Sequence, residues 1–131
     1  MKKETEIKIY LSYTFKNIEQ EEDINRFLEC HDLKDFKYHK TKIGHQVVES
    51  PSIVMFTRYV DDLTSEFLNI YSKKIDLLNS LAETFDGFFV LSIVLELYKK
   101  LAPQLGFNKS FLNFLLSLKN FTDIDIDQYI Y

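Results

Sequence analysis

The sequence is short of everything that would announce a specialised class of protein. It has no tryptophan, one cysteine, two prolines and three glycines in 131 residues. A single cysteine excludes an internal disulfide and a thiolate-rich zinc site, so the chain must hold itself together by its core. Cys30 adjoins His31, but a catalytic thiol needs a base placed by the fold; the other reading is an inert small side chain at a helix end. Isolated glycines at 44, 87 and 106 leave no glycine-rich phosphate loop, and no serine sits in a nucleophile elbow. No apolar run approaches the roughly 20 residues of a membrane-crossing helix, and the opening MKKETEIKIY lacks the apolar segment of a secretion signal. The expected setting is the cytoplasm, away from membranes. A net charge of −4 gives no general attraction for phosphate backbones, so nucleic acid is not an expected partner.

What the chain has in plenty is core material, with 12 Phe, 8 Tyr and 46% hydrophobic residues at the size of one domain spanning 1–131. Ile7, Ile9, Leu11, Tyr13 and Phe15 alternate with wetter residues and predict a strand. A short helix follows, with Asn17 as cap, carboxylates from Glu19 to Asp23 in its first turn, and Ile24, Phe27 and Leu28 as its apolar stripe. DFKYHKT reads as a short edge strand guarded by lysines. Residues 46–51 read as a loop, and SIVMFTRYV as a strand beginning after Pro51.

Phe67, Leu68, Tyr71, Ile75, Leu78, Leu81, Ala82 and Phe85 recur at helical spacing and predict a long helix over 64–85. Asp61, Asp62 and Thr64 supply capping chemistry ahead of it, and Gly87 serves as its stop. FFVLSIVLELY is apolar on both alternating sets, which places it inside a sheet. Asn108 or Ser110 caps a last helix with Phe111, Leu112, Leu115, Leu116 and Leu118 on its apolar face, and 122–131 forms a last strand. The expectation is α+β: one mostly antiparallel five-stranded sheet packed by helices, in the order βαββαβαβ, with a ferredoxin-like split βαβ in its first six elements.

Three features carry the functional reading. Asp123, Asp125 and Asp127 share one face of the last strand with Tyr129 and Tyr131, about 6.5–7 Å apart at successive positions. They read as solvated or lysine-paired carboxylates, as a surface for a cationic partner, or as a metal or catalytic site; the calcium-loop pattern is not met. Lys8 or the lysines between 34 and 42 are the cations available to face them. The stretch carrying Lys34, Lys37, Lys40 and Lys42 is itself a second candidate surface, for a phosphate or an acidic protein. His31, His39 and His45 match no familiar zinc spacing and read as surface histidines. Third, Phe88, Val90, Val94 and Tyr98 with Val54 and Phe56 would form an apolar back to the sheet. That face could be covered by a symmetry mate, a ligand or the last helix of the same chain. No catalytic residue, metal or cofactor is predicted.

The closing segment FNKSFLNFLLSLKNFTDIDIDQYIY resembles that of the bacterial family known as domain of unknown function 4279. Ser110, Phe114, Leu115, Leu118, Asp123, Ile124, Asp125, Ile126, Asp127, Tyr129 and Ile130 carry the likeness. The first strand, EEDINRFLEC, and Lys42 with Gly44 follow the family's order of elements. The chain departs from that pattern in having no tryptophan after the glycine and no proline opening the first helix, so it resembles a divergent member. The resemblance implies a small α+β domain and no assigned activity; some relatives are suspected of acting as immunity partners to bacterial toxins. The reading is a non-enzymatic domain that binds a protein partner or its own copy. The alternative is a small-molecule binder or enzyme with a pocket on the apolar back of the sheet.

Overall fold

The computed structural model describes residues 5–15, 21–40, 46–57, 59–98 and 106–131, with the side chains of His39 and Lys40 left aside. The elements run β1 (Glu6–Phe15), α1 (Glu21–Cys30), β2 (Lys37–Lys40), β3 (Gln46–Glu49), β4 (Ile53–Met55), α2 (Val60–Tyr71), a 3₁₀ turn (Ser72–Lys74), α3 (Ile75–Thr84), β5 (Gly87–Leu97), α4 (Lys109–Ser117) and β6 (Phe121–Ile130). The α+β class is as expected. The sheet, however, has six strands in the order β2-β3-β1-β5-β6, with β4 also pairing β1. Every described pairing is antiparallel except β5 with β6. Helix α1 joins β1 to β2 across the intervening β3, a split βαβ connection.

The extra strand comes from residues 46–49, expected as loop. β3 and β4 lie end to end along one edge of β1, with Ser12 opposite Glu49 and Ile9 opposite Ile53. Two β1 residues therefore face three residues, Ser50, Pro51 and Ser52, which is a β-bulge. Pro51 has no N–H to give, so the ladder is carried there by Ser50 alone. Its N–H donates to Leu11 O at 2.8 Å, and its Oγ accepts the Leu11 N–H at 2.9 Å.

Two further boundaries differ. The strand expected over 52–60 ends at Met55, and Val60, fully buried, opens α2 with Asp61 and Asp62 in its first turn. The long helix is two helices joined by the 3₁₀ turn. Gly87 starts β5 rather than stopping α3; a Cβ there would lie 2.4 Å from Thr14 O and 2.7 Å from Tyr13 Cζ. Close approach to β1, not helix termination, is what asks for glycine.

The core lies between the sheet and the helices. Ile7, Ile9, Leu11, Tyr13 and Phe15 of β1 and Phe89, Leu91, Ile93 and Leu95 of β5 are fully buried against Ile24, Leu63, Phe67, Leu78, Leu81 and Phe111. The alternating apolar residues of β1 are thus its inward face. Helix α4 joins the same layer, its Phe111 and Phe114 rings each 5.7 Å from Phe67. It leaves the other face of the sheet alone, so cover by the last helix is not how that face is managed. Among the described residues no helix is long and apolar enough to cross a membrane.

Candidate binding surface

Strand registry places the sequence-predicted residues with little ambiguity. Cross-strand partners share a face, so Lys8, Val94 and Asp127 stand in one lateral row, Tyr10, Ser92 and Asp125 in the next, and Ser12, Val90 and Asp123 in a third. This is the face away from the helices. Val54, opposite Lys8, lies on it and is 44% exposed, Phe56 in the bend after β4 is 69% exposed, and Phe88, Val90, Val94 and Tyr98 are half-buried among their neighbours.

Asp123, Asp125 and Asp127 are exposed on β6, the edge strand. Among the described residues none of the three has an ion pair or a side-chain hydrogen bond. Lys8 pairs instead with Glu6 on its own strand, at 3.7 Å. Lys37 shares the open face but belongs to β2 at the opposite edge, four strand spacings away, or about 19 Å. Lys34 is exposed in the turn before β2 and Lys40 ends that strand; Lys42 lies outside the described residues. The acidic row and Lys37 therefore lie on two separate borders of one sheet, and among the described residues no lysine pairs with the three aspartates.

The acidic row ends in aromatics. Tyr131 stacks on Tyr98 with ring centroids 4.7 Å apart and planes within 12°, and Tyr129 is 52% exposed beside them. Loss of water around its ring, then the charges of Glu96, Tyr131 and Glu6, push the Tyr98 hydroxyl above the ordinary phenol value. That pairing was hidden from sequence reading because it depends on the parallel register of β5 with β6, which puts Glu96 beside Tyr129. Ile126 and Ile130, on the face of β6 opposite the aspartates, point toward the helices but overhang them, 42% and 64% exposed.

The other candidates fare differently. His31 packs on Phe27 in the turn after α1, with ring centroids 4.3 Å apart, and Cys30 is exposed at the end of α1. His45 lies outside the described residues, and among those described no group of three His, Cys, Asp or Glu could hold a metal ion. The larger described cavities lie beside the helices rather than on the sheet's open face. One of about 430 Å³ is lined by Tyr59, Asp61, Asp62, Phe107 and Asn108, and one of about 410 Å³ lies between α2 and α4. At the first, Asn108 accepts the Phe111 N–H and donates to Asp61 Oδ1, both at 2.8 Å, tying the starts of α4 and α2 together.

Comparison with protein-family models, curated proteins and solved structures finds no match to this chain.

Proposed function

We propose that the chain is a non-enzymatic protein-interaction domain that acts in the cytoplasm and meets a basic partner with the acidic border of its open sheet face. The observation that carries this reading is the row Asp123, Asp125 and Asp127, exposed, without a cation beside it among the described residues, and continued by Tyr129 and the stacked pair Tyr98–Tyr131. Carboxylates at that spacing offer charge complementarity that speeds and orients encounter, and tyrosines offer the amphipathic area that anchors an interface. Membership of the domain of unknown function 4279 family, with an immunity-like role against a basic toxin, belongs to the same proposal and rests on the closing segment.

The test is affinity capture from source cells with the wild-type chain and with Asp123→Lys/Asp125→Lys/Asp127→Lys, quantified side by side. A protein of high isoelectric point retained by the first at low salt and lost by the second supports the reading. Identical captures from both contradict it.

A further inference from the structure

The acidic row sits on an edge that no described strand pairs, and the backbone of that edge points in a defined direction. Tyr131 donates its N–H to Leu97 O at 2.9 Å. Because strand backbone groups alternate with period two, residues 123, 125, 127, 129 and 131 turn their N–H and C=O groups toward β5. Ile124, Ile126, Gln128 and Ile130 turn theirs outward, where no described strand receives them. A ten-residue edge of this kind is a template for another strand.

Charge selects the occupant. A second copy pairing antiparallel through β6 about a two-fold axis keeps odd residues opposite odd residues. Every two-fold register centred on a residue from 123 to 127 then sets an aspartate against an aspartate, Asp125 against Asp125 and Asp123 against Asp127 in the central one, and like charges directly opposite disfavour the pair. An extended segment with lysine or arginine at alternate positions reverses that sign. Its cations would lie beside Asp123, Asp125 and Asp127 on the open face. Its intervening apolar side chains would cover Ile126 and Ile130 on the helix side, where both overhang the core.

We propose that β6 is an acceptor edge for β-augmentation, taking an extended segment of a partner protein in which basic and apolar residues alternate. This deepens the interaction reading above and rests on it. Main-chain hydrogen bonds to the outward groups of Ile124, Ile126, Gln128 and Ile130 supply the docking, and the aspartates supply its register.

The test uses the full chain and two peptides of identical composition, one alternating lysine with valine, the other with its lysines in one block, followed by fluorescence anisotropy. The alternating peptide is expected to bind at least about tenfold more tightly than the block peptide. Methylating the backbone nitrogens along one edge of the alternating peptide is expected to remove that advantage. So is Ile126→Pro, which costs no bond to β5 because the Ile126 N–H points outward.

Equal binding of the two peptides, or an unchanged preference after backbone methylation, overturns augmentation and leaves the acidic face as a surface that attracts by charge alone. So does failure of both peptides while capture from cells still depends on the three aspartates. Failure of both together with charge-insensitive capture overturns the interaction reading as well. A dimer in sedimentation that Ile126→Pro dissociates would make the second copy the occupant and would also overturn the proposal.

Discussion

Ser50 and Leu11 are joined by two hydrogen bonds, one through the Ser50 backbone N–H and one through its hydroxyl oxygen. The second bond gives the buried Leu11 N–H its acceptor at the bulge. Ser50→Ala should leave the Leu11 N–H buried without a partner and cost about 1–3 kcal/mol of stability, read by urea unfolding. Ser50→Thr, which keeps the acceptor, should lose much less.

Gly87 faces Phe15 at the start of β5, with Thr14 O and the Tyr13 ring where a side chain would begin. Gly87→Ala should destabilise the fold by on the order of 1–3 kcal/mol, since the atom it meets first is backbone and cannot rotate away. Thermal unfolding of the variant checks this. Gly106, with nothing near its missing Cβ, should accept alanine with little change.

Tyr13 is fully buried and donates its hydroxyl hydrogen to Phe85 O at 2.7 Å. Burial, and secondarily the charge of Asp86, raise its pKa from 10.0 to about 12. The folded state therefore holds the proton more tightly than the unfolded chain. The stability this contributes is complete below pH 10 and is lost as pH rises from 10 through about 12, on the order of 2–3 kcal/mol in all. Unfolding midpoints measured across that interval should fall for the wild type and fall less for Tyr13→Phe.

Asn79 of α3 donates to Ser117 O at 3.1 Å and accepts the Lys119 N–H at 2.9 Å, holding the turn from α4 into β6. Asn120 follows with a φ of 57°, a left-handed conformation that asparagine tolerates. Asn79→Ala should loosen that turn, lowering stability by about 1 kcal/mol and speeding amide exchange at Lys119 more than at the centre of β5.

Much of the framework was legible because periodicity reports burial directly. Ile7, Ile9, Leu11, Tyr13 and Phe15 recur with period two in β1, the apolar run of β5 is that of an inner strand, and the stripe through Phe67, Leu78 and Leu81 is helical; all these residues are buried. β3 was not legible, since QVVE is only four residues long and runs into Ser50 and Pro51, whose ordinary meaning is a loop. The two residues that rescue it, Leu11 and Ser50, are 39 positions apart. The same limit applies to the surface. The Asp123, Asp125 and Asp127 row was visible from spacing alone, but not its distance from Lys37, its place on an outer edge, or the stacking of Tyr131 on Tyr98. Those depend on strand order, which a single strand's pattern does not encode.

The most direct measurement is zero-length carbodiimide cross-linking in a lysate of the source cells, with the linked peptides identified by mass spectrometry. The reagent joins a carboxylate only to an amine already in contact with it. The account predicts links from Asp123, Asp125 and Asp127 to lysines of one basic protein, weakening as salt is raised. Links confined to carboxylates of the helical layer, such as Asp61, Asp76 and Glu83, would contradict it.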